Sequence, residues 1–83
     1  MEHIPHELPD EFPTEKHLIE RLTKTNYEFR RTATRYDDVN RQIHRIESED
    51  EPTSDEVLEE LKKERLRLKD DIAAMLTKLE RRM

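Results

Sequence analysis

The stretch LKKERLRLKDDI, residues 61–72, decides the fold. It reads as the middle of a long amphipathic helix, with no Gly or Pro to interrupt a turn. Leu61, Leu68 and Ile72 fall on one stripe, and Arg65 sits in that stripe where an apolar residue is expected. A lone helix of this kind cannot bury its own stripe, so it requires a neighbour. The other long periodic segment in the chain is residues 15–47.

Outward from this stretch the seam runs Leu58, Leu61, Arg65, Leu68, Ile72, Met75, Leu79 and Arg82, in steps of three and four. Upstream, Thr53 and Glu56 form a capping-box pattern, T-S-D-E, that opens this second helix. SEDEP, residues 48–52, ends the helix before it. In that first helix Leu18, Leu22, Thr25, Phe29, Thr32, Tyr36, Val39, Ile43 and Ile46 alternate steps of four and three without a slip. A 3.5-residue period marks a left-handed coiled-coil seam. Thr14 is the expected N-cap, and the helix would be about 50 Å long.

A short connection makes the two helices antiparallel neighbours. One register about Pro52 layers Ile46 on Leu58, Ile43 on Leu61, Val39 on Arg65, Tyr36 on Leu68, Thr32 on Ile72 and Phe29 on Met75. It brings Arg35 near Asp71 and Glu28 near Lys78. Beside the seam, Ile19, Ala33, Leu66, Ala73 and Leu76 form a second, narrower apolar strip, which predicts self-association. The expected fold is therefore all-α: a long antiparallel helical hairpin, coiled-coil-like, dimerising into a four-helix bundle. Residues 1–13 would be a flexible tail and 14–83 the hairpin, with helix one at about 14–47, a turn at 48–53 and helix two at about 54–81.

Composition agrees with a helical interaction protein. Of 83 residues, 45% are charged and 31% hydrophobic, between a coiled coil and a disordered chain, and the periodicity decides for the former. No cysteine is present, which excludes disulfides, thiolate metal sites and a cysteine nucleophile. A net charge of −5 with interspersed signs disfavours a general nucleic-acid binder. No run is apolar enough to span a membrane and the N-terminus lacks a signal-peptide core, so the expected location is cytoplasmic.

Candidate chemistry is sparse. His3 and His6 have HxxH spacing in a segment punctuated by Pro5, Pro9 and Pro13, but a metal needs more ligands, and solvated tail histidines are the plainer reading. His44 adjoins the seam, where a two-helix layer offers no cleft for acid–base work. Paired acids such as Asp37/Asp38 and Asp70/Asp71 diverge around a helix and make poor metal clamps. Arg65 can lay its stem along Val39 and Leu61 while its guanidinium reaches Asp37, Asp38 or the Tyr36 ring, fixing register or receiving a partner's acid, but an arginine snorkelling at the edge of the seam is the plainer reading. Arg30, Arg31, Arg35, Arg41 and Arg45 line the outside of helix one and could contact anions.

LKKERLRLKDDIAAML at 61–76 resembles the signature half of the YdcH-like family of small bacterial proteins of unknown function. FPTEKHLIERL at 12–22, Asn26, Phe29 and YDDVNRQIHRIE at 36–47 are similar to its first half, so the resemblance spans residues 12–80. It implies a short helical hairpin or coiled coil with no established activity or cofactor. The chain departs from the family pattern in its extra His- and Pro-containing N-terminal stretch, and in Tyr36 and Asn40, which stand where His and Asp are expected. The functional expectation is a non-enzymatic scaffold or regulatory module without cofactor or metal. It would bind a protein partner and a second copy of itself. The alternative is a nucleic-acid- or ribosome-associated accessory protein using the arginine-rich face.

Overall fold

Asn26 divides what the periodicity predicts as one helix. The computed structural model describes residues 4–49 and 53–80. It is all-α, with no strand among the described residues: α1 (Leu8–Glu11), a 3-10 turn (Pro13–Glu15), α2 (Lys16–Thr25), α3 (Tyr27–Glu49) and α4 (Asp55–Glu80). Asn26 has extended backbone, φ −124° and ψ 111°. Its N–H closes α2 on Leu22 O at 2.8 Å, and its side-chain oxygen accepts the Phe29 N–H at 2.9 Å as the N-cap of α3. Just before it, the Thr23 and Thr25 hydroxyls donate back to Ile19 O and Arg21 O, a competition that weakens a helix near its end.

Both sequence-predicted caps move. Thr14 lies in the 3-10 turn and donates to the Glu15 carboxylate at 2.7 Å instead of capping α2. Ser54, not Thr53, caps α4, its Oγ accepting the Val57 N–H at 3.2 Å. With the cap one residue later, Glu56 no longer occupies the third helical position, and the capping box does not form. The turn expected at 48–53 is shorter on its first side, because α3 continues through Ser48, whose hydroxyl donates to His44 O at 2.6 Å. Pro52, His3 and Arg82 lie outside the described residues.

α3 and α4 pack along each other. Lys62 meets Glu47 at 3.1 Å, Arg65 donates to Asn40 at 3.0 Å, and Arg35 forks onto Glu64 at 2.8–3.0 Å. The expected Arg35–Asp71 pairing gives way to Arg35–Glu64. Asp71 and Glu64 are one heptad apart, about 10 Å along the same face. Surface pairs contribute a few tenths of a kcal/mol and do not set the register. The buried layers do, through Phe29, Tyr36, Val39, Ile43 and Ile72, which are essentially inaccessible.

The largest departure concerns residues 4–13, read from sequence as a flexible tail. Here they fold onto the helices. Leu8 is buried in a cluster with Ile19, Leu22, Phe29, Ala33, Tyr36, Ile72 and Leu76, and Phe12 packs against its edge. Pro9 stands in the first turn of α1, where its missing N–H costs nothing. Together with α2 this segment forms an arm that covers one side of the α3–α4 pair.

Candidate interaction surfaces

The arm is fixed to α3 by two hydrogen bonds to its backbone. The Tyr36 hydroxyl donates to His6 O, and Asn40 Nδ2 donates to Pro5 O at 2.9 Å. Asn40 is buried, and its remaining oxygen accepts from Arg65, so one amide links the arm, α3 and α4. Arg65 thus reaches Asn40 and not Asp37, Asp38 or the Tyr36 ring. No buried side-chain nitrogen or oxygen lacks a partner among the described residues. His6 is held at φ 65°, in the left-handed region that a non-glycine residue adopts at some cost. The Pro5 and His6 carbonyls are the two that α3 grips, so the anchoring supports that turn. Farther along, Glu11 accepts from His6 Nδ1 at 2.9 Å and from Lys69 at 3.3 Å, joining α1 to α4.

Among the described residues three groups have shifted acidities, and all lie in or beside the arm. Burial, reinforced by the Glu11 charge, pushes the Tyr36 hydroxyl up to about 12. Burial also raises Asp37, against the opposing pull of Arg41. The His6 hydrogen bond, aided by Lys69, holds Glu11 below its usual 4.5. By linkage, Glu11 adds stability above its usual range that is lost as pH falls through its lowered folded value. Asp37 acts oppositely: its ionisation costs stability as pH rises through the ordinary carboxylate range to its raised value.

The opposite flank is open. Arg35 and Gln42 lie about 160° around α3 from Ala33 and Asn40, at 100° per residue. Two shallow grooves flank the Arg35–Glu64 bridge. One, of about 550 Å³, includes Val57, Glu60, Leu61 and Arg67 from α4; the other, of about 450 Å³, includes Asp38, Arg41, Arg45 and Ile46 from α3. Val57 is about half exposed. This is an amphipathic surface with acid concentrated on α4 and arginine on α3.

The residues singled out from sequence distribute unevenly. Leu22, Phe29, Tyr36, Val39, Ile43 and Ile72 are buried, while Ile46, Leu58, Leu61, Arg65, Leu68, Met75 and Leu79 are half-buried. Of the strip assigned to self-association, Ala33 and Leu76 are buried beneath the arm, Ile19 is buried as part of the arm itself, Ala73 is half-buried and only Leu66 is well exposed. The strip therefore has an intramolecular occupant that the sequence reading left out. Among the arginines, Arg30 stacks over the Tyr27 ring at 5.7 Å, Arg35 pairs with Glu64, and Arg31, Arg41 and Arg45 are exposed on α3. Leu8, Asn26 and Asn40 were missed as structural determinants. The signal for Asn26 was present as N-Y-E-F, an N-cap followed by an acid in the first turn.

These features define a small helical protein whose conspicuous property is surface, with its polar interior groups committed to packing. Residues 29–76 match the family described as protein of unknown function (DUF465), and the chain belongs to that family, which contains the YdcH-like small proteins. The matched span covers most of α3 and α4 and leaves the arm outside it. No curated protein and no solved structure matches the chain. Among the described residues, no helix is long and apolar enough to cross a membrane.

Proposed function

We propose that the chain is a non-enzymatic helical interaction module. In this reading α3 and α4 form an antiparallel, coiled-coil-like hairpin, and the open flank receives a protein partner. The observation that carries it is the asymmetry of the pair: one flank is covered by the arm, and the other presents Val57 and Leu61 between arginines and glutamates. An amphipathic helix bearing mixed charge suits such a surface, because apolar contact supplies affinity while charge sets register. The non-enzymatic part rests on the use of the shifted groups. Burial accounts for Tyr36 and Asp37, and the His6 and Lys69 bonds account for Glu11, so their perturbation needs no catalytic role.

The test is a photo-crosslinking residue placed at Val57 or Arg45 on the open flank, and at Asp10 on the arm, in cells of the native organism. Crosslinks to a common protein from Val57 and Arg45, absent from Asp10, are expected. Crosslinks confined to Asp10 would sink this reading. Firm retention of the purified chain on heparin, with steep salt dependence, would move the function to nucleic acid through Arg31, Arg41 and Arg45.

A further inference from the structure

Two facts about Asn26 pull in different directions. The seam positions 18, 22, 25, 29 and 32 keep their steps through it without a slip, as in one straight helix. Yet the backbone there is extended, and the Phe29 N–H, which an unbroken helix would send to Thr25 O, goes to the Asn26 side chain. Nothing local forbids the straight form. TKTNYEF, residues 23–29, contains neither Gly nor Pro, and Asn is a middling helix former, far better than Pro. The bend is thus held by a side-chain cap and by what the arm buries at Leu8, Ile19 and Leu22.

We propose that residues 4–25 are an exchangeable arm: Asn26 straightens, α2 and α3 join into one helix, and the arm packs on the α3–α4 pair of a second copy instead of its own. The occupant of the covered flank is then the same sequence in either state. Leu8, Ile19 and Leu22 enter the strip of Ala33, Tyr36, Ile72 and Leu76, and the Pro5 and His6 carbonyls accept from Asn40 and Tyr36, whether the strip belongs to the same chain or to another. No new complementarity is required, because only the hinge changes. At the hinge, one cap bond is replaced by continuation of the helical ladder, so local terms favour the straight form once the arm has a second site. The buried residues Ile19, Ala33 and Leu76 then become contacts between chains. This goes beyond docking on the open flank and does not depend on it.

Two neighbouring substitutions should act oppositely on the full chain. Asn26→Ala removes the cap and favours continuous helix, and should tighten dimerisation about tenfold. Tyr27→Pro places proline at the first position of α3, where it is well tolerated, and restricts residue 26 to the extended geometry it already has. Tyr27 is exposed, so this variant should keep its helical circular dichroism and become strictly monomeric. Light scattering over a concentration series reads both.

The contact itself is tested by mixing Glu11→Cys chains with Lys69→Cys chains and adding a short bis-maleimide. The chain has no cysteine of its own, so a covalent heterodimer can form only between copies. It should form in the wild-type background, rise with Asn26→Ala and vanish with Tyr27→Pro. Tyr27→Pro dimerising like wild type would overturn the proposal, as would a dimer without the Glu11–Lys69 crosslink. So would monomers throughout, with Asn26→Ala included. If Asn26→Ala fails to fold, the wild-type and Tyr27→Pro pair decides alone.

Discussion

The two flanks of the α3–α4 pair are made by the same helices, and they differ in what their polar groups do. On the arm side polar groups are buried and fully committed: Asn40 bridges three segments and Tyr36 holds a carbonyl. On the open side the same helices carry Arg35, Glu64 and Glu60 in water, around a half-exposed Val57. Burial costs a polar group its hydration, so each one on the arm side must be matched, and its loss is expensive. Exposure lets the open side vary at little cost to stability. The lesson is a division of labour between a flank that specifies the fold and a flank free to specify a partner.

The largest test of that division compares Ile72→Ala with Val57→Ala. Ile72 is fully buried beneath the arm, and its truncation leaves a cavity worth about 3 kcal/mol. Val57→Ala on the open flank should stay within about 0.5 kcal/mol. Urea denaturation of both variants measures the gap. Equal losses would mean that the open flank is structural, and the contrast between the flanks would disappear.

Next in size is Asn40→Ala. It strands the Pro5 carbonyl and leaves the Arg65 guanidinium without its partner, for an expected loss of about 2 kcal/mol. This revises the role of Arg65. A seam arginine with no fixed partner should be improved by Arg65→Leu, but with Asn40 as acceptor that change leaves a buried amide oxygen unpaired. Stability should therefore fall for Arg65→Leu alone. A higher melting temperature for Arg65→Leu would show that the Asn40 bond contributes little.

How legible this was depended on range. The all-α class, the seam of the long helices and the odd placement of Arg65 follow from local periodicity, which the sequence carries at every turn. The break at Asn26 does not disturb that periodicity. A chain that bends between heptad positions and folds back keeps the same spacing on paper, and only the cap pattern N-Y-E-F marks the place. Leu8 was obscured by the three prolines around it, which suggest an extended tail, although Pro9 in a first helical turn is compatible with α1. The second apolar strip was visible, but its occupant was not. An apolar stripe states that it must be covered and says nothing of whether the cover comes from the same chain. The Tyr36 and Asn40 anchors were beyond reach for a related reason, since both bond to backbone carbonyls, which have no sequence signature.

Those anchors also give the smallest and most specific test. Tyr36→Phe keeps the ring in the core and removes only the hydroxyl bond to His6 O, so the expected loss near neutral pH is about 1 kcal/mol. The pH dependence carries more information than the size. In the folded chain the hydroxyl is raised to about 12 from the usual 10.0, so between those values the folded state keeps a proton that the unfolded state releases. The unfolded chain then binds fewer protons, and stability falls as pH rises. The contribution is complete below pH 10 and decays toward 12, with a total on the order of 2 kcal/mol. Phenylalanine has no proton to lose, and the other groups titrating in that range are common to both proteins. The stability advantage of the wild type should therefore shrink above pH 10 and then reverse, giving crossing curves in urea midpoints measured from pH 8 to 11.5. Parallel curves would mean that Tyr36 ionises in water, with the arm detached from that part of α3. The covered flank would then be no more closed than the open one.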